Sequence, residues 1–245
     1  MMETMIASSA QVLEFIRSNL PLVPAPALPE ILLHTAGPDS GLWRLAENDE
    51  NFEAPYWAYA WGGGLALARH ILDHPHTVAG RDVLDLGAGS GIVAIAAAKS
   101  GARTVLAADI DRYAIVATGL NAVANGVTIA TRLGDPTAGA PPDVDIVLVG
   151  DLFYEADLAA RVTGFLDRCV RSGIQVLVGD PWRSFLPRMH LRLLAQYPGR
   201  DFGNSGHGTP SENAVFSFEA APGTAMVHRF AGAPTVPPME RLTRS

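Results

Sequence analysis

Three carboxylates, Asp109, Asp135 and Asp151, each follow an apolar run, and a glycine-rich turn, Gly87-Ala88-Gly89-Ser90-Gly91, follows the run that holds Asp85. Glycines in such a turn allow positive φ and let a ligand approach the backbone closely, which suits a nucleotide-like ligand. A dinucleotide site prefers Gly-x-Gly-x-x-Gly. Counting from Gly87, the sixth position here is Ile92. Asp85 stands two residues before Gly87, where a pyrophosphate would be repelled and a cationic ligand would not. Asp109 lies about 20 residues beyond the turn, at a strand end, where a carboxylate can accept both ribose hydroxyls. Asp111 reads as the cap of the next helix. Asp135, in Leu133-Gly134-Asp135-Pro136, is placed to meet an exocyclic amine of adenine.

The fourth run ends in Val149-Gly150-Asp151-Leu152-Phe153-Tyr154. Ligands of open α/β sheets sit at the carboxyl ends of the strands, so Asp151 and Tyr154 face the same ligand. The plainer alternative makes Asp151 a helix cap and buries Tyr154. Upstream, Pro55-Tyr56-Trp57-Ala58-Tyr59-Ala60-Trp61 runs into Gly62-Gly63-Gly64. Trp61, just before a glycine run that opens a helix, is expected to wall the ligand pocket, while Trp57 divides evenly between pocket and core. His74-Pro75-His76 lacks a third ligand nearby and is not read as a metal site. Cys169, the one cysteine, excludes an internal disulfide and a four-cysteine zinc site.

These residues need a scaffold, and the composition supplies one. Apolar residues make up 48% of the 245 and charged residues 18%, enough for a sizeable core. The 18 basic and 25 acidic residues give a net charge of −7, which argues against phosphate-backbone binding. Lys99 is the sole lysine. No apolar run reaches about 18 residues, so no membrane span is expected, and the amino terminus lacks a targeting pattern. A cytoplasmic protein, monomeric because the sheet and its helices account for the apolar content, is the expectation.

Three stretches differ in texture. Residues 1–55 read as a helical extension: Ser9 caps a helix burying Val12, Leu13, Ile16 and Leu20, and a cluster of prolines ends it. Residues 56–220 alternate strand and helix. Strands are expected at Val83 to Leu86, Thr104 to Ala108, Asp145 to Gly150, Gln175 to Gly179 and Ala214 to Phe218. Helices are expected at Gly91 to Lys99, Arg112 to Ala124, Glu155 to Val170 and Leu186 to Tyr197. Continuous apolar strands between helices indicate an α/β fold, doubly wound around a mostly parallel sheet. In the last strand Ala214, Phe216 and Phe218 form the buried face, and Val215 and Ser217 a partly covered one. Residues 203–212 read as a loop and 221–245 as an irregular tail.

The Asp-x-Gly-x-Gly-x-Gly turn, the acidic end of the second strand and the Gly-Asp after the third resemble the class I methyltransferases. That resemblance implies a seven-stranded Rossmann-like sheet, S-adenosylmethionine as methyl donor, S-adenosylhomocysteine as product, and no metal. It puts Trp61, Asp85, Gly87, Gly89, Asp109, Asp135 and Asp151 around the cofactor. Asp-x-x-Tyr at positions 151–154 resembles the class I protein lysine methyltransferases, with Asp151 and Tyr154 as catalytic residues. The aromatic segment, Gly150-Asp151-Leu152-Phe153-Tyr154, Val178-Gly179-Asp180-Pro181 and Asn213-Ala214-Val215-Phe216 are similar to the family that modifies the β-subunit of electron-transfer flavoprotein. Two departures stand out: Gly62 where that family is expected to have proline, and Trp182 where it is expected to have glycine. A ribosomal or translation protein is an alternative substrate. An NAD-dependent oxidoreductase and a silent partner module are the readings outside methyl transfer.

The chemistry needs a neutral amine. Free lysine, with a pKa of about 10.4, is neutral in roughly one molecule in 10³ at pH 7. A carboxylate such as Asp151 favours the ammonium, so its expected role is to accept an N–H and aim the lone pair. Tyr154 is expected to wall the channel and to face the partial positive charge with its ring.

Overall fold

The computed structural model describes residues 8–50, 52–199 and 211–220. The expected tail, 221–245, and most of the expected loop, 203–210, lie outside the described residues. Helix α1 (Ser9–Asn19) is capped by Ser8 rather than Ser9. The Ser8 hydroxyl accepts from Gln11 N at 3.3 Å, and Gln11 Oε1 accepts from Ser8 N at 2.6 Å, a reciprocal capping box. Its apolar stripe, Val12 and Ile16, continues through Leu20 and packs on Tyr113 and Leu120.

The prolines after α1 do not leave a plain loop. They frame a hairpin, β1 (Leu22–Ala25) and β2 (Leu28–His34), in the stretch expected to be helix and loop. Pro24 sits in an edge strand, where a missing N–H costs little. Leu28, Ile31 and Leu33 of β2 enter the main core. The Asn125 side chain bonds Leu32 N at 2.9 Å and Leu32 O at 2.7 Å, docking the hairpin on the domain.

Helices α2 (Trp43–Asn48) and α3 (Gly62–Asp73) follow. Then come β3 (Asp82–Leu86), α4 (Ile92–Lys99), β4 (Thr104–Asp109), α5 (Arg112–Ala124) and β5 (Ala130–Leu133). The chain continues through β6 (Ile146–Gly150), α6 (Ala156–Arg171), β7 (Gln175–Asp180), β8 (Leu191–Gly199) and β9 (Ser211–Phe218). The seven-stranded sheet has the order β5-β4-β3-β6-β7-β9-β8. The first five strands in that order are parallel, and β9 runs antiparallel to both β7 and β8. Strands β3, β6 and β7 are buried along nearly their whole length, because α3 and α4 cover one face and α6 the other. Lys99 ends α4, exposed to solvent.

One expectation is corrected here. Leu186 to Tyr197 is not helical: a short turn at Arg188–His190 leads into β8. The spacing of Leu191, Leu194 and Tyr197 imitates a helix, but β8 is an outer strand, mostly exposed, and its pairing with β9 decides its conformation. The mixed face of β9 is covered at Val215, which is fully buried with Leu67 and Ile71 of α3, and only partly covered at Ser217, as expected.

Candidate active site

The carboxyl ends of β3, β4 and β6 open into one cleft of about 450 Å³. Strand order reverses at this point, since β3 has β4 on one side and β6 on the other. Gly87 holds φ +69°, and a Cβ there would lie 2.6 Å from the Leu152 side chain, so only glycine lets the turn pass beneath that residue.

The cleft half built from β3 to β5 is held by short local bonds. Asp109 Oδ2 accepts from Gly89 N at 2.8 Å, and its Oδ1 accepts from Asp111 N at 2.9 Å. Burial raises the Asp109 carboxyl, and these amide bonds oppose the rise. Asp111 caps α5, accepting from Tyr113 N at 2.7 Å, and burial pushes its carboxyl up to about 6. Asp135 Oδ1 accepts from Thr137 N and Oγ1, and Arg161 lies 3.3 Å from Oδ2. Burial would raise Asp135, but these partners outweigh it and hold the carboxyl below its ordinary value.

Asp85 departs from its expected place. Its side chain is 1% exposed and does not line the cleft. Its Oδ2 accepts from Ala94 N at 2.9 Å, so it ties the first turn of α4 to β3 from behind the glycine turn. Burial pushes this carboxyl up to about 7.

The other half of the cleft is assembled from distant segments. Asp151 follows β6 with φ +59°, a left-handed conformation that turns its carboxylate toward α3. Asp151 Oδ2 accepts from Gly64 N at 2.6 Å, 87 residues away. Oδ1 accepts from Arg183 Nη2 at 2.9 Å, 32 residues away. The Gly62-Gly63-Gly64 run makes the approach possible. A Cβ on Gly63 would lie 2.3 Å from Gly179 O and 2.8 Å from Asp151 Oδ2. Arg183 spans the ion pair and also lies over the Trp61 ring, 5.7 Å from its centroid. Arg183 N donates to Asp180 Oδ1 at 2.6 Å, and burial lifts the Asp180 carboxyl to about 7, with the Asp151 charge adding to the rise.

Tyr56, Trp61 and Tyr154 form an aromatic rim. The Tyr56 ring centroid is 5.6 Å from both the Trp61 and the Tyr154 centroids. Trp61 Nε1 donates to Tyr56 O at 2.8 Å, which fixes its ring. Tyr154 is 44% exposed, at the mouth rather than in the core. Trp57 resolves both ways: it is 1% exposed, stacked on Tyr113, and also lines the cleft. Its buried Nε1 has no hydrogen-bond partner among the described residues. Trp182 holds φ +67°, which explains why glycine is expected there. Its ring instead packs edge-on against Phe216 at 4.9 Å.

Of the expected site residues, Trp61, Gly87, Gly89, Asp109, Asp135, Asp151 and Tyr154 line one cleft, and Asp85 stands behind it. Sequence reasoning passed over Tyr56, Arg161 and Arg183. For Arg183 the available signal was its place three residues beyond the end of β7, as the arginine of the Gly-Asp-Pro-x-Arg pattern that the resemblance leads one to expect. Among the described residues no group of side chains could hold a metal ion.

Comparison with known proteins places this cleft. The chain is 38% identical to the electron transfer flavoprotein beta subunit lysine methyltransferase of Danio rerio, over 88% of this chain and 86% of the relative. It is 37% identical to the Xenopus laevis protein of the same name, over 84% of this chain and 86% of the relative. The chain belongs to the electron transfer flavoprotein beta subunit lysine methyltransferases. Residues 67–150 also match the ribosomal protein L11 methyltransferase (PrmA) family, a span that covers the glycine turn and ends before Asp151. In fold, a Pyrococcus horikoshii protein provisionally classed as an RNA methyltransferase aligns with a TM-score of 0.51 at 15% identity, covering 67% of this chain and 88% of the other. The chain is thus an S-adenosylmethionine-dependent lysine methyltransferase, and the oxidoreductase reading is set aside. The cleft fits that cofactor: carboxylates for a cationic ligand, aromatic walls, a glycine turn, and a buried unpartnered indole N–H.

Proposed function

We propose that this protein transfers methyl groups from S-adenosylmethionine to lysine side chains of the electron-transfer flavoprotein β-subunit. The observation that carries the reading is that Asp151 and Tyr154 share a single cleft with Asp109 and the glycine turn. The bound cofactor supplies a sulfonium methyl group as electrophile. Asp109 accepts the ribose hydroxyls, and Asp135 stands toward the adenine. A carboxylate has about four acceptor positions, and Gly64 N and Arg183 Nη2 bind Asp151 at one oxygen each. Asp151 accepts an amine N–H and sets the direction of the nitrogen lone pair. Tyr56, Trp61 and Tyr154 narrow the mouth and face a partial positive charge with their rings. The amine loses its proton to solvent before transfer, and the residues hold it in the attacking geometry.

The match at residues 67–150 supports the cofactor half alone and leaves the substrate to the other half. We take the enzyme as a cytoplasmic monomer that binds neither membrane nor nucleic acid. The net charge of −7 agrees with the last point. The test incubates the protein with radiolabelled S-adenosylmethionine, a bacterial lysate and recombinant flavoprotein, and maps label by mass spectrometry. Label on β-subunit lysines is the expected result. Label on another protein overturns the substrate, and no label despite cofactor binding overturns the reaction.

A further inference from the structure

Two observations about Asp151 stand in tension. A carboxylate beside the substrate amine stabilises the ammonium, which cannot attack a methyl group. Yet Asp151 is the acceptor placed at the end of β6, 9% exposed and lining the cleft. Arg183 addresses this directly. Its guanidinium bonds Asp151 Oδ1 at 2.9 Å, with the two side chains 18% and 10% exposed, so the pair is little screened by water. Trp61 lies under the guanidinium, and the backbone N–H of Arg183 is anchored on Asp180. The cation is thus held from two directions besides Asp151.

We infer that Arg183 is a positioning residue that neutralises Asp151, so that the carboxylate orients the substrate amine without holding it as ammonium. This rests on the lysine methyltransferase reading above. The pair presents hydrogen-bond acceptors with almost no net charge. The lone pair of the amine is then free at a lower pH than an unpaired carboxylate would allow.

Other charged groups face the same space. Asp109 from β4, Asp111 before α5, Asp135 after β5 and Glu53 before α3 are carboxylates, Arg161 comes from α6, and Tyr56 and Tyr154 are phenols. Asp180, at the end of β7, stands against the Arg183 backbone with a carboxyl near 7. Burial raises Tyr154 above its ordinary value of 10.0. Burial lifts Asp111 to about 6 and Asp180 to about 7, so both shed their protons by the low end of the range from about pH 7.5 to 9.5, and Tyr154 is held above its ordinary value. The rising limb across the rest of that range belongs to the bound amine.

The experiment is single-turnover methyl transfer to the flavoprotein β-subunit, enzyme in excess and cofactor saturating, across that pH range. Native protein is compared with Arg183→Gln and Arg183→Lys. Arg183→Gln is expected to move the rising limb upward by about one pH unit, a loss of about tenfold near pH 7.5 that shrinks as pH rises. Arg183→Lys retains a cation and is expected to restore most of the native profile. Equal loss at every pH would overturn the inference by making Arg183 merely structural. Weakened cofactor affinity in a calorimeter with an unmoved profile would also overturn it, by making Arg183 a cofactor ligand. If native protein labels no flavoprotein lysine, the functional reading fails and the inference falls with it. If native protein labels normally and the limb does not move, the inference alone fails.

Discussion

The two halves of the cleft are built by different means. In the half formed by β3 to β5, backbone amides of the strand-end loops do most of the fixing: Asp109 by Gly89, 20 residues away, and by Asp111, and Asp135 by Thr137, with Arg161 of α6 beside it. In the half formed by β6 and β7, Asp151 is fixed by Gly64 and Arg183, 87 and 32 residues away. The first arrangement is a local motif that many proteins can carry unchanged. The second depends on how α3 and the turn after β7 meet, and can be retuned. On the proposed function, the first half would hold the cofactor and the second would select the acceptor.

Substitutions can break the comparison in order of expected effect. Asp151→Ala should lower kcat by about 10² to 10³-fold, the cost of removing a preorganised acceptor, while cofactor affinity measured by calorimetry stays near native. Equal loss in both would show that the halves are not separate. Asp109→Ala should do the reverse, weakening cofactor binding by about 10 to 100-fold, the range for a charge-assisted hydrogen bond, with kcat at saturation less changed. Gly63→Ala drives a methyl to 2.3 Å from Gly179 O. It should cost about 1 to 3 kcal/mol in urea unfolding, because the clash is with backbone.

The smallest effect concerns Asp85, whose carboxyl is pushed up to about 7 by burial. The folded state keeps a proton there that the unfolded chain has released above about pH 4. That contribution to stability is full below about pH 4 and is lost as pH climbs through 7. Asp85→Asn should therefore flatten the decline in unfolding free energy between pH 5 and 8, by on the order of 1 kcal/mol. An unchanged decline, followed by urea midpoints, would place the proton elsewhere.

The same contrast decides what was legible in the residues alone. Local signals survived: β3, β4, β6 and β7 fall within one or two residues of the expected runs, and α5 runs from Arg112 to Ala124 as expected. Asp111 caps its helix as read. Features set by distant pairing did not survive. The β1–β2 hairpin hides behind prolines that usually signal loop, and it forms because Asn125 and the core receive it. The strand β8 carries a helix-like spacing and becomes extended only by pairing with β9. Asp85 was expected beside the cofactor because spacing cannot say which way a strand residue points relative to a turn. Arg183 was legible as the arginine of a Gly-Asp-Pro-x-Arg pattern, but its role was not, because nothing in its neighbourhood encodes Asp151 32 residues away.

The sole lysine, Lys99, lies exposed at the carboxyl end of α4, the helix that follows the glycine turn. Seven rises of about 1.5 Å put it about 10 Å along the axis from Ile92, and it is not among the residues that line the cleft. A catalyst of lysine modification built with arginine for nearly every other cation offers itself almost nothing to modify. Its own surface is a poor competitor for its methyl donor, so label that appears in a mixture reports on the partner and not on the catalyst.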